Sequence, residues 1–357
     1  MEFLKNSLTQ KCNPFIIATI GMPCCEPEGI DLLLLHGVSV LRYNIAADLG
    51  YVEHSRRIKI ARNSIEKSDR AGNIAIMLDL PFPGRKIRIG MLPERIHAVK
   101  KGDLVTFKTG KESTNFHDFI PVNYPDIAQF IKPEYEFSIG DGELALKVNE
   151  QLSDDSFNAI VLNDGYIPCQ KSVNFGHIVE AEQDNEMLNF VAQTRPDWIA
   201  LSFINDVQQL QRAFEILSGY GITRKNTRFV IKIETQQGVD NISQLTERVD
   251  AVIIARGDLA VTADYFRLGT NQKIITEACK KVNKPVILST QILESSCEWY
   301  VPARSEISGL TYAILDGING IMLAKETSSL NNITRPLVVT REIISECKEL
   351  IASQVEE

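Results

Sequence analysis

The chain has 357 residues, enough for about two domains or for one large barrel with an insertion. Hydrophobic residues make up 44% and charged residues 24%, which suits a globular chain and excludes disordered, collagen-like and disulfide-scaffold readings. The net charge of −8 argues against nucleic acid or an anionic membrane as a partner.

The first residues, MEFLKNSLTQK, carry no apolar signal core, and no apolar run reaches the ~20 residues of a membrane helix. Seven cysteines without metal spacing fit a reducing, cytoplasmic setting. The adjacent Cys24 and Cys25 are either reactive or, more plainly, two reduced loop thiols.

Short apolar runs rich in β-branched residues follow along the chain. They are Phe15–Ile20, Val38–Leu41, Ile74–Asp79, Trp198–Phe203, Phe229–Glu234, Ala251–Ala255, Pro285–Thr290 and Gly320–Ala324. Each reads as a buried parallel strand, apolar on both faces. Helical periodicity between them, as at Val207–Leu217 and Gln272–Val282, predicts an α/β chain. The form expected is a TIM-type (β/α)8 barrel, with a large doubly wound sheet as the alternative.

More than 100 residues separate Asp79 from Trp198. Within them Glu143–Val148 and Asn158–Leu162 alternate apolar with polar, and the turn signals Gly140-Asp141-Gly142 and Asn163-Asp164-Gly165 flank them. This predicts a small all-β lid domain inserted after the third strand. The expected division is 1–85 and 176–357 for the barrel and 86–175 for the lid.

Catalytic groups of such barrels sit where strands end. Here those ends hold Arg42 and Asn44, Asp79, Ser202, Lys232 and Glu234, Arg256-Gly257-Asp258, Thr290-Gln291 and Lys325-Glu326-Thr327. Lys232 and Glu234 share a strand face, and a lysine in a barrel mouth is costly unless it meets an anion. Glu234 and Asp258, on neighbouring strands, suit a hard divalent cation, Mg²⁺ or Mn²⁺, completed by substrate oxygens and water. A plain Lys232–Glu234 ion pair is the competing reading. Arg42 and Lys232 offer positive charge to a phosphate or carboxylate, and the Gly257 backbone offers N–H groups. The set points to phosphoryl transfer or enolate chemistry.

The strings resemble the pyruvate kinase family over nearly the whole chain. They include TIG at Thr19–Gly21, RYN at Arg42–Asn44, IMLDLP at Ile76–Pro81, KIRIG at Lys86–Gly90 and KSVNFG at Lys171–Gly176. IKIETQQGVDNI at Ile231–Ile242, ARGDLAV at Ala255–Val261, STQILES at Ser289–Ser295 and DGINGIMLAKET at Asp316–Thr327 match closely, as do LSF at Leu201–Phe203 and ARSE at Ala303–Glu306. The resemblance implies that Lys232 contacts the transferring phosphoryl group and that Glu234 and Asp258 hold the metal. It implies that Arg42 binds phosphate, that Thr290 lies near the carbon that is protonated, and that Arg88 and Lys171 face the nucleotide or acceptor. Substrate is expected on Arg42, Asn44, Lys232, Gly257, Asp258 and Thr290.

Departures fall on the acceptor side. The family's Ser-His-Gly after the second strand motif is Ala46-Ala47-Asp48, and its Lys-Gly-Pro-Glu is rebuilt as 80–86. Asn205 replaces an arginine, Ala324-Lys325 replaces Ser-Gly, and Ser328-Ser329 stand where a nucleotide-side lysine is usual. The resemblance covers barrel and lid, and the family's C-terminal regulatory domain is expected to be absent. Lys86 stands where potassium-dependent members carry glutamate; with Asp79 it is expected to replace the monovalent cation, so that K⁺ is not required. The expected function is a glycolysis-like phosphotransferase acting on phosphoenolpyruvate or pyruvate, with an acceptor other than ADP open. A metal-dependent pyruvate enolate lyase or aldolase and a non-catalytic metabolite sensor are the alternatives. The partner expected is a small-molecule enol phosphate or 2-oxo acid, without nucleic acid or membrane; a homo-oligomer is compatible with the sequence.

Overall fold

The structure, a computed structural model, describes residues 4, 12–47, 49–83, 86–175, 184–329 and 332–355. Asp48 of the altered Ala46-Ala47-Asp48 string, and Gly84, Arg85 and Gly176 at the expected domain boundaries, lie outside the described residues. The strands β1 (Phe15–Thr19), β2 (Val38–Asn44) and β3 (Ala75–Pro83) are buried along nearly their whole length. That is what an apolar run with no polar face produces.

The long interval after β3 forms β4 (Ile87–Arg88), β5 (Ile96–Val99), β6 (Leu104–Thr109), β7 (Ile120–Val122), β8 (Glu136–Ile139), β9 (Leu144–Ser153), β10 (Ser156–Val161), β11 (Gly165–Pro168) and β12 (Ser172–Asn174). Strands resume with β13 (Trp198–Ser202), β14 (Arg228–Ile233), β15 (Ala251–Ala255), β16 (Val286–Ser289) and β17 (Gly320–Leu323). The helices are α1 (Pro27–Leu35), α2 (Tyr51–Lys67), α3 (Asn185–Thr194), α4 (Val207–Gly219), α5 (Gln236–Asp240), α6 (Ile242–Thr246), α7 (Arg256–Thr262), α8 (Leu268–Lys281), α9 (Arg304–Leu315), α10 (Lys325–Ser328) and α11 (Thr334–Val355). None of the described helices is long and apolar enough to cross a membrane.

β1, β2, β3 and β13–β17 close into a barrel of eight parallel strands in the order β1-β17-β16-β15-β14-β13-β3-β2. This is the expected (β/α)8 architecture. Its interior is filled by alternate residues: Phe15 and Ile17, Val40, Ala75 and Met77, Trp198 and Ala200, Val230, Ala251 and Ile253, Ile287 and Met322. Trp198 meets Phe15 edge-on, ring centroids 6.0 Å apart. Side chains two residues apart share a strand face. The inward series of β1, β2, β3, β14 and β16, continued by two residues toward the C-terminal end, arrive at Thr19, Arg42, Asp79, Lys232 and Ser289. The barrel core thus hands over to polar groups at one layer.

The chain divides into two compact units. One is Met1–Gly84, Glu180–Leu259 and Phe266–Glu357, and the other is Arg85–Val179 with Ala260–Tyr265. The second holds a seven-stranded sheet, β4-β12-β8-β9-β10-β6-β7, and the pair β11-β5. β9 and β10 pair antiparallel, as their alternation predicts. Their inward residues build a core around Phe107, Phe137, Phe157 and Phe175, with the Phe107 and Phe157 rings stacked at 5.1 Å. Gly140 and Gly142 take left-handed φ values of 77° and 96°, which glycine adopts without strain, and they turn the chain from β8 into β9.

Candidate active site

Arg42, Asp79, Lys232 and Glu234 meet at the C-terminal mouth of the barrel. Arg42 donates through Nε and Nη2 to Asp79 Oδ2 at 2.9 and 2.6 Å, and through Nη1 to Thr19 Oγ1 at 2.8 Å. Lys232 Nζ lies 3.1 Å from Asp79 Oδ1 and 3.2 Å from Glu234 Oε1. Asp79 therefore ties both cations together, one to each oxygen. Glu234 Oε2 accepts the Phe203 backbone N–H at 2.6 Å. Asp79 and Glu234 are each 1% exposed, so their charges persist only because cations and donors surround them.

The electrostatics follow. Burial alone would raise the Asp79 carboxyl, but the Lys232 and Arg42 charges outweigh it and hold the group below its ordinary value. Burial would lower the Lys232 ammonium; Asp79, Glu234 and, more weakly, Asp258 carry it above its ordinary value against Arg42. Asp258, in the first turn of α7, thus brings its charge to the same ammonium.

Thr290 forms a second part of the mouth. Thr290 and Gln291 both adopt left-handed backbone, with φ of 72° and 50°. A Cβ on Gly257 would stand 2.8 Å from Thr290 Cγ2, so glycine is what lets the Thr290 side chain lie against α7. Glu326 anchors the chain around this turn: its Oε1 accepts the Ile292 and Leu293 N–H groups at 3.0 and 3.1 Å, and its Oε2 accepts Ala324 N–H at 2.8 Å. Asn44 ends β2, and its carbonyl accepts the Ala47 N–H.

Several sequence features find a structural place. Asn205, expected to stand in place of an arginine, is buried and accepts the Thr235 hydroxyl, while its N–H donates to Gln209 Oε1 and its carbonyl accepts from Asn241. It now knits the β13–α4 connection to α5. Cys24 is buried; burial pushes its thiol up to about 11, and its Sγ donates to the Thr327 carbonyl, so the unreactive reading suits it. Lys86, Arg88 and Lys171 belong to the inserted unit. Arg88 pairs across the β4–β12 edge with Ser172 and donates to the Gln170 carbonyl at 2.9 Å. Lys171 lies 3.2 Å from Glu143 Oε1.

Sequence reasoning gave no role to Thr19 or Glu326. Strand parity exposes Thr19, two residues beyond Ile17. Glu326 shows in the sequence only as one of the polar residues after the eighth strand; its hold on the Ile292 and Leu293 amides comes from another segment and no spacing encodes it. Among the described residues no three His, Cys, Asp or Glu side chains gather at metal-holding distance. The acidic groups around Lys232 are Asp79, Glu234 and, more weakly, Asp258.

A family model described as "Pyruvate kinase, barrel domain" matches residues 11–332. The chain belongs to the pyruvate kinase family. It is 30% identical over 332 residues to the pyruvate kinase of Agrobacterium vitis, covering 92% of this chain and 66% of that protein. Against the pyruvate kinases of Thermococcus litoralis and Borreliella burgdorferi it is 32% and 33% identical over 88% of this chain, and 65% and 64% of theirs. The chain spans 64–66% of the length of these relatives. The pyruvate kinase match includes every residue of the buried cluster, Asp258, Thr290, Arg88 and Lys171.

Proposed function

We propose that the chain catalyses divalent-metal-dependent phosphoryl transfer involving phosphoenolpyruvate and pyruvate, with ADP a poor acceptor. The observation that carries the reading is Lys232, held between Asp79 and Glu234 with Arg42 on the same Asp79 carboxylate. Fixed cations at a barrel mouth form a preorganised seat for a transferring phosphoryl group.

The charge balance supports metal dependence. Arg42 and Lys232 face Asp79, Glu234 and Asp258, which leaves one net negative charge where an anionic substrate must settle. The residues fit a hard dication, because Glu234 lies 3.2 Å from the Lys232 ammonium, Asp258 acts on the same ammonium from α7, and both offer oxygen ligands only. Glu234 and Asp258 would hold Mg²⁺ or Mn²⁺, which supplies charge neutralisation at phosphoryl and enolate oxygens. Arg42 and Lys232 bind the phosphate, and Lys232 stays with it as its charge develops. The Gly257–Asp258 amides bind the substrate carboxylate, and the Thr290 hydroxyl stands at the carbon that gains a proton.

Retention of Lys232 favours transfer over a plain enolate lyase, which needs the metal more than this lysine. The acceptor side supports a change of acceptor. Each charge-assisted hydrogen bond lost to a diphosphate costs about 1.5–3 kcal/mol, so two losses weaken ADP by ~10²-fold or more. With Lys86 in the family's glutamate position, turnover is expected without potassium. Turnover is tested by ³¹P NMR of phosphoenolpyruvate with and without Mg²⁺, against nucleoside diphosphates and small alcohols. Metal-dependent loss of phosphoenolpyruvate with any acceptor supports the reading, and none with every acceptor moves it to the sensor.

A further inference from the structure

Thr290 is a β-branched residue at φ 72°, followed by Gln291 at φ 50°. Such backbone costs on the order of 1–3 kcal/mol per residue and persists only where surroundings over-determine it. Here one side chain grips both residues. Arg256 donates to the Thr290 carbonyl through Nε at 3.1 Å and Nη2 at 2.7 Å, and Nη2 also donates to the Gln291 carbonyl at 2.7 Å. Beyond them the Ile292 and Leu293 N–H groups are held by Glu326. The turn is thus clamped by a guanidinium on its carbonyls and a carboxylate on its amides, while Gly257, next to Arg256, lets the Thr290 side chain close down on α7.

We propose that Arg256 is a positioning residue that aims the Thr290 hydroxyl at the reacting carbon. The proposal rests on the reading of Thr290 given above. In that step the C=C electron pair of the enolate forms the new C–H bond, the proton comes from water through the Thr290 hydroxyl, which regains the proton it gives, and the enolate oxygen becomes the keto carbonyl. Arg256 touches no reacting atom; it sets where the hydroxyl points. A planar fork is required, because a lysine ammonium is a single point of charge and cannot span two carbonyls in fixed geometry. Displacing a reacting group by about 1 Å costs up to ~10²-fold in rate while leaving binding largely intact. Arg256 also borders a cavity of about 510 Å³, shared with Trp299, Glu306 and Lys325, through which a small cation can reach the place of a deleted guanidinium.

The test is Mg²⁺-dependent exchange of the pyruvate methyl protons in heavy water, followed by NMR on the full chain. Arg256→Lys is expected to slow exchange by at least ~10-fold, with the pyruvate KM and the unfolding temperature close to wild type. Arg256→Ala is expected to lose ~10²-fold and to recover part of it with millimolar guanidinium but not with sodium at equal ionic strength. On a Thr290→Ala background, Arg256→Lys is expected to have no further effect, since the arginine acts through that hydroxyl. Exchange at the wild-type rate in Arg256→Lys, or the same fold-loss with and without Thr290, overturns the positioning role and leaves the functional reading standing. Absence of exchange in the wild-type protein overturns the functional reading and this proposal with it.

Discussion

Lys232 and Lys171 each lie 3.2 Å from a glutamate oxygen, yet the two pairs are physically different objects. The Lys232–Glu234 side chains are 13% and 0% exposed, and the pair is extended by Asp79 and Arg42 into a closed network. The Lys171–Glu143 side chains are 40% and 61% exposed, just before β12 and β9 of the inserted sheet. Water competes for the second pair and is excluded from the first. Substitution is therefore costly in the barrel mouth and cheap at the exposed pair of the inserted unit. On the proposed reading the phosphoryl side of the family's pattern is kept and the acceptor side is altered, and an altered acceptor side is where a cheap change in specificity would fall.

The largest effect is expected from Lys232→Met. It leaves Asp79 and Glu234 buried with one cation fewer, which costs about 3–5 kcal/mol. Chemical denaturation should read that loss, and phosphoenolpyruvate turnover should fall by at least ~10³-fold. A variant as stable as wild type would show that the pair is no better coupled than the exposed Lys171–Glu143 pair. Next, Glu234→Gln or Asp258→Asn should remove Mn²⁺ binding, because the site has few protein ligands to lose. Calorimetry on both variants checks this, and unchanged affinity would detach the metal from these acids.

Smaller effects sharpen the other side. Lys171→Ala should change stability by no more than ~1 kcal/mol in a denaturant titration, the range of an exposed pair. Any larger loss would mean that this exposed pair is part of a network after all. His54 offers a buried group without a carboxylate network to hold its charge. Burial lowers its imidazole, and the Ala47 carbonyl and Glu53 only partly offset burial and Arg57. The unfolded chain then takes this proton first, so the contribution is complete above about pH 6.5 and is lost as the pH falls toward the folded value. His54→Phe should flatten the acid side of the stability curve, and an unchanged slope would assign it to other groups.

The barrel was legible because its strands are apolar on both faces, a pattern few other elements share. The helix α8 was legible only in part: its first turn, Leu268-Gly269-Thr270-Asn271, has no apolar period, so the helix begins before Gln272 where periodicity first shows. Arg42, Lys232 and Glu234 could be picked out as charges at strand ends. Asp79 could be picked out too, but its link to both cations depends on the register of β2, β3, β13 and β14, which no spacing encodes. The left-handed turn at Thr290 is invisible because threonine and glutamine do not advertise positive φ. It is imposed by Arg256 and Glu326 from other segments.

The central claim is an intact phosphoryl and enolate side with an altered acceptor side, and both halves can be read in one preparation. Methyl-proton exchange of pyruvate and ADP phosphorylation by phosphoenolpyruvate are measured side by side with saturating Mg²⁺. The account predicts metal-dependent exchange together with an ADP KM raised ~10²-fold over that of a full-length pyruvate kinase. Rapid phosphorylation at micromolar ADP, or no exchange at all, would contradict it.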